Sequence, residues 1–480
     1  MSTLPVDRTV SSARLAGLLE GWRGEGPAYS ALAGGLRAAV LAGALPTRTR
    51  LPSERDLAAA LGLSRTTVSA TYDLLRDEGY LVSRQGSGTV TALPPGATRS
   101  PRFNDLPDAH LIDLTKAAPS APPELTNACA QAVEDLRAHL RSPGLEPLGL
   151  SVLRAAVADW YVERGVPTDP EQVLVTTGAQ QAIHLLVSLF ARRGDRVVVE
   201  HPTYPNAIDV VTASGARAVP VPVGERGVDV DLLLATVRAS DPRVVYLVPD
   251  HHNPTGTVLP AADRERLRRG LARTGALLVV DEVFADLGLD APAPHSLLGS
   301  GTDRHVVGIG SASKSYWSGL RVGWIRASRD LVSRLATERA KVDISGSVLD
   351  QLVVTRLMQQ RAGLLARRRE ELRERRDRIL SQLADQLPGW QVQVPAGGLS
   401  LWIDLGAPAS SALARVGRRH GVHLVPGTAF GVDGSFDNRL RLTYAEPEEV
   451  LDEAVRRIAT AWHEVDRGAG TRTRRGSAPA

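Results

Sequence analysis

Only three lysines occur among the 57 lysines and arginines of this chain, and one stands in Ser311-Ala312-Ser313-Lys314-Ser315-Tyr316-Trp317-Ser318-Gly319-Leu320-Arg321. A lysine amine on a crowded, partly dry turn can hold an aldehyde as a Schiff base. The small hydroxyl neighbours make Lys314 a candidate for that chemistry; the plainer reading is a serine-rich loop carrying a solvated charge. A second stretch, Thr176-Thr177-Gly178-Ala179-Gln180-Gln181, leads into helical Ala182-Ile183-His184-Leu185-Leu186. The backbone N–H groups of such a helix start suit a phosphate.

Both stretches need a rigid frame. Apolar runs such as Val197-Val198-Val199, Val244-Val245-Tyr246-Leu247-Val248, Leu277-Leu278-Val279-Val280 and Val306-Val307-Gly308-Ile309 alternate with helical patterns. Continuous apolar strands separated by helices imply a mostly parallel sheet covered on both faces, with ligands beyond the carboxyl ends of the strands. Asp281 directly follows one such run and Ser311 to Lys314 another. A chain of 480 residues with 43% hydrophobic content predicts two or three domains. It has no apolar run of membrane-spanning length, and its first ten residues lack the pattern of a secretion signal, so a cytoplasmic protein is expected. Cys129 is the only cysteine and excludes an intramolecular disulfide. The net charge of +4 permits a nucleic-acid partner without arguing for one.

The amino-terminal part argues more directly. Residues 1–27 carry one helical pattern (Leu15, Leu18, Leu19, Trp22) and read as an extension docked on something else. Leu32, Leu36 and Val40 then mark a helix ending near Gly43; Ser53, with Asp56 three residues on, opens a second; Ser64 caps a third. In that third helix Val68, Tyr72 and Leu75 form one apolar stripe, while Arg65, Thr66 and Ser69 face away. Helix, glycine-containing turn, helix is a DNA-reading arrangement, and the stretch Tyr80 to Val90 around Gly86 and Gly88 reads as two short strands, a wing. Seven arginines against five acidic residues in this segment leave only +2, so useful affinity would need two copies. A proline-bearing linker follows at 93–110, a large domain at 111–465, and an arginine-rich tail at 466–480 that reads as disordered.

Over residues 28–92 the chain resembles the winged helix-turn-helix of the GntR regulators, through Leu51-Pro52-Ser53-Glu54-Arg55, Leu63-Ser64-Arg65-Thr66-Thr67-Val68 and Gly79-Tyr80-Leu81 leading to Gly86-Ser87-Gly88-Thr89. The resemblance implies DNA contacts by Arg55, Ser64, Arg65, Thr66 and Thr67, with Gly86 and Gly88 in a wing at the minor groove. From residue 111 onward it resembles the fold-type I pyridoxal-phosphate aminotransferases: an α/β large domain with a smaller carboxyl-terminal α+β subdomain. That resemblance implies pyridoxal 5′-phosphate as cofactor. It gives the Schiff base to Lys314, the phosphate to Arg321 and the helix start at Gly178, Ala179 and Gln180, further cofactor contacts to Ser311 and Ser313, and ring stacking to Tyr204. It gives the ring hydroxyl to Asn253, the pyridine nitrogen to Asp281, and an effector's carboxylate to Arg441. No metal is assigned. Two departures stand out: Phe284 occupies a position where the family usually has a tyrosine bonded to the cofactor, and Leu145 lies near another usual tyrosine, contributed by the partner subunit. The fusion resembles the MocR subfamily, which implies a homodimeric regulator binding a double-stranded operator and sensing the cofactor, or a small amine or amino acid, at Lys314. The alternative is an aminotransferase with an appended DNA-binding domain.

Overall fold

The computed structural model describes residues 6, 8–23, 27–84, 88–94, 110–292, 294–299 and 304–475. The amino-terminal domain is built from β1 (Arg8–Thr9), α1 (Ser12–Leu18), α2 (Ala28–Leu41), β2 (Thr49–Arg50), α3 (Glu54–Leu61), α4 (Arg65–Asp77), β3 (Leu81–Arg84) and β4 (Gly88–Thr91). Ser53 and Ser64 cap α3 and α4 by accepting the Asp56 and Thr67 backbone N–H groups at 3.2 and 3.1 Å. Gly62, at φ +65°, makes the tight turn between them, a conformation that favours glycine. Leu32, Leu36, Leu57, Val68, Tyr72 and Leu75 meet in one core. The extension is part of this domain: β1 pairs with β2, and Leu15 and Leu19 lie in the same core. The wing sheet runs β1-β2-β4-β3. Gly88 opens β4, whereas Gly86 lies outside the described residues, as does most of the expected linker.

After β5 (Ile112–Asp113) comes the large sheet, with β6 (Val173–Thr176), β7 (Arg196–His201), β8 (Arg217–Gly224), β9 (Gly227–Val228), β10 (Val244–Leu247), β11 (Leu277–Asp281), β12 (Val306–Ser311) and β13 (Gly323–Arg326). Their order is β6-β13-β12-β11-β10-β7-β8-β9, parallel except for β13 and the hairpin strand β9. The central strands are buried throughout, and two hydrophobic clusters cover the two faces. The smaller subdomain holds β14 (Gln391–Val392), β15 (Ser400–Asp404), β16 (Val422–His423), β17 (Val425–Pro426) and β18 (Arg439–Thr443). The arginines of helix Arg361–Gln386 tie it to other elements instead of only pairing along their own face: Arg376 bonds Asp290 and Arg378 bonds Asp452. The last helix spans Glu448–Arg475, past the boundary expected near 465, so residues 466–475 are helical where a disordered tail was expected.

The winged helix rests on the large domain of its own chain. Arg14 pairs with Asp229 at 3.0 Å, Thr47 Oγ1 donates to Asp433 at 2.6 Å, and Phe436 N–H donates to Leu41 carbonyl at 2.7 Å.

Candidate functional site

A cavity of about 290 Å³ opens where the carboxyl ends of β10, β11 and β12 face the smaller subdomain. Lys314, Asp281, Asn253, Tyr204, Arg321 and Arg441 all line it, so the topology gathers residues spread over more than two hundred positions. Ala179, Gln180, Ser311 and Ser313 line it too. The short helix Ala312–Ser315 carries Lys314 off the end of β12, capped by Ser311 Oγ accepting the Ser313 N–H at 3.2 Å. Lys314 Nζ donates to the Ala117 carbonyl at 2.7 Å, and burial, with Arg441 nearby, lowers its pKa to about 8. An amine so tuned is partly neutral near physiological pH and hence nucleophilic.

Asp281 ends β11. Tyr246 donates to its Oδ2 at 2.6 Å and the Val283 N–H to its Oδ1 at 3.2 Å, which fixes the carboxylate plane. Burial raises its pKa to about 6, against the lowering effect of these hydrogen bonds. A cation in the cavity would reverse that burial cost. Arg441, on β18, is buried; its guanidinium donates to the Thr115 and Leu114 carbonyls and faces the Phe430 ring at 5.6 Å. Its Nε has no partner among the described residues, so a carboxylate would find an incompletely satisfied fork.

Gly178 starts the 13-residue helix Gly178–Phe190 at φ +77°. A side chain there would meet the Arg321 guanidinium at 2.9 Å, and a Cβ on Gly323 would lie 2.6 Å from the Gly178 carbonyl carbon. The two glycines thus let backbone N–H groups and Arg321 converge on one end of the cavity, as an anion requires. Asn253 and Gln180 also line the cavity, and their Oδ1 and Oε1 are buried without partners among the described residues. This donor and acceptor set fits a phosphorylated pyridine aldehyde: an anion cradle, a buried carboxylate and an amine line one cavity. Phe284 is buried in the wall and offers no hydroxyl, while Leu145 is 59% exposed and outside the lining.

The expected DNA-reading residues sit together on the opposite domain. Arg55, Ser64, Arg65 and Thr66 are exposed around the amino ends of α3 and α4, and Thr67 is half-buried. Arg65 approaches Glu54 at 3.5 Å. Motif reading missed Tyr246, Phe430 and the carbonyls of Leu114, Thr115 and Ala117. Tyr246 is an ordinary strand residue in sequence, and backbone acceptors carry no side-chain signal. Among the described residues, no three His, Cys, Asp or Glu side chains are grouped to hold a metal, and no helix is long and apolar enough to cross a membrane.

Residues 109–458 match the model for aminotransferase class I and II, and residues 28–90 that for bacterial regulatory proteins of the gntR family. The chain is 30% identical to the HTH-type transcriptional regulator TauR of Rhodobacter capsulatus, over 88% of this chain and 94% of that one. It is 33% identical to the probable rhizopine catabolism regulatory protein MocR of Rhizobium meliloti, over 60% and 63% respectively. The α-aminoadipate aminotransferase LysN of Thermus thermophilus, solved with N-(5′-phosphopyridoxyl)-L-leucine, superposes with a TM-score of 0.68 at 30% identity, covering 74% of this chain and 93% of that one.

Proposed function

Because the chain belongs to the aminotransferase class I and II family and joins that domain to a gntR-type winged helix in the MocR-type arrangement, we propose that it is a transcription regulator whose DNA binding answers to occupancy of the Lys314 pocket. Its cofactor is pyridoxal 5′-phosphate, as in its aminotransferase relatives. When bound, that group supplies an aldehyde for an amine and a ring that withdraws electrons. In this reading Lys314 provides the amine, and Asp281, held by Tyr246, keeps the pyridine nitrogen protonated. Arg321 and the Gly178–Gln180 backbone hold the phosphate, and Tyr204 covers the ring. Arg441 exchanges its backbone carbonyl partners for the α-carboxylate of an incoming amino compound.

The observation that carries the proposal is the convergence of Lys314, Asp281 and Arg441 in one cavity of a chain that also presents Arg55 and Arg65 on a winged helix. Phe284 weighs toward sensing over turnover, because the ring oxygen loses a hydroxyl partner. A homodimer is part of the reading: Val133, Leu140, Leu145, Ile344 and Leu349 are exposed apolar residues of the large domain. The test is operator affinity of cofactor-free and cofactor-loaded protein, with and without amino acids, beside the absorbance that cofactor binding creates. Lys314→Ala is expected to abolish both the band and the response. A band that survives the substitution refutes the role given to Lys314, and equal operator affinity in every state refutes the sensing.

A further inference from the structure

One short loop, residues 427–436, touches both the cavity and the DNA-binding domain. Near its start Phe430 lines the cavity beside Arg441, and its carbonyl accepts the Thr203 N–H at 3.1 Å, one residue before Tyr204. At its end Phe436 N–H donates to the carbonyl of Leu41, the last residue of α2, and Asp433 accepts the Thr47 hydroxyl. Phe436 holds φ +74°, a conformation that costs a non-glycine residue on the order of 1–2 kcal/mol and persists only where its surroundings enforce it. Its ring fills the space beside Gly43, where a Cβ would lie 2.3 Å from Phe436 Cζ.

Between the two ends the packing is continuous. Trp402 stacks edge-on against Phe430 at 5.5 Å and against Phe436 at 5.9 Å. A Cβ on Gly427 would meet the Phe436 carbonyl oxygen at 2.2 Å, so the loop closes tightly on itself. Close-packed interiors transmit displacements instead of absorbing them. A carboxylate arriving at Arg441 meets a guanidinium held by the Thr115 and Leu114 carbonyls against the Phe430 ring, and so changes what that ring faces.

Resting on the regulatory reading above, we propose that this loop is the docking surface through which the pocket sets the position of the winged helix, with Phe430 as its input and Phe436 as the plug at the end of α2. The pocket and the DNA-binding domain then bias one shared element, which is the physical requirement for coupling.

The test uses the full-length protein, a duplex that the wild type selects from a random pool, and N-(5′-phosphopyridoxyl)-L-leucine as probe, since it carries both a phosphate and an α-carboxylate. In the wild type the probe is expected to change hydrogen exchange across residues 41–49 and to shift duplex affinity by about fivefold or more. Phe436→Ala and Thr47→Val lie outside the cavity, so each is expected to bind the probe within about twofold of wild type while the affinity shift collapses toward none. If both variants keep the wild-type shift, the loop is not the coupling surface and the regulatory reading stands. If exchange at 41–49 responds but duplex affinity does not, the loop couples and the sensing function falls. Absence of both responses overturns both. Should Phe436→Ala fail to fold, Thr47→Val decides alone.

Discussion

At the scale of single residues, Asp281 carries a conflict between burial and charge. Its carboxylate is buried, and the pKa stands near 6 where an unperturbed aspartate has 3.8. A raised folded-state pKa means the folded chain binds the proton more tightly than the unfolded one. Without a cationic partner, the group's favourable contribution is therefore present below the unfolded value and is lost as pH rises from about 4 through about 6. Two pKa units correspond to about 3 kcal/mol as an upper bound. Cofactor-free Asp281→Asn is accordingly expected to melt above cofactor-free wild type at pH 7.5, with the gap closing toward pH 4. Calorimetry across that range checks it. A constant gap would mean that Asp281 is already ionised at no cost, and that Tyr246 and Val283 satisfy it without a ligand.

At the scale of elements, the sequence was most readable where a local pattern suffices. Ser53 and Ser64 announce their helices because capping is a contact three residues long, and apolar runs announce the buried strands. Lys314 and Asp281 were legible for the same reason, each sitting just past a strand. The loop at residues 427–436 was not, because its meaning lies in contacts with Leu41 and Thr47, nearly four hundred residues away in the chain, and nothing in its composition points there. Nor could the sequence place β1 beside β2, a pairing of two residues on each strand. The pairing of Arg65 with Glu54 was likewise invisible and bears on DNA reading. Arg65 is 75% exposed, and an exposed pair of this kind is worth at most about 1 kcal/mol, less than a phosphate contact gains by counterion release. The phosphate should win. Arg65→Ala is expected to weaken operator binding and lower its salt-dependence slope by about one, while Glu54→Gln tightens binding at low salt. Binding isotherms at several salt concentrations measure both, and an unchanged slope in Arg65→Ala would place Arg65 away from the backbone.

At the scale of the whole molecule, the weak charge of one DNA-binding domain and the exposed apolar residues of the large domain point to the same assembly. Seven arginines offset by five acidic residues give a single winged helix little electrostatic hold, and a second copy binding the same duplex turns two weak contacts into one strong one. The large domain presents what would bring the copies together: Leu140 is 70% and Leu145 59% exposed, close in sequence to helix Glu124–Leu136, which a bidentate pair between Asp135 and Arg356 joins to helix Val348–Gln359. Covered by a second copy, these leucines would join the apolar part of an interface. Leu145→Asp places a charge on that surface without touching the cavity lining or the winged helix. Sedimentation is expected to show the dimer dissociating at concentrations where the wild type holds together. Operator affinity should fall at least tenfold, because avidity is lost while each winged helix stays intact. Cofactor absorbance titrated on the same sample separates two outcomes. If the cofactor affinity falls along with the dimer, the partner subunit completes the pocket; if it does not, one chain builds the pocket alone and dimerisation serves the DNA.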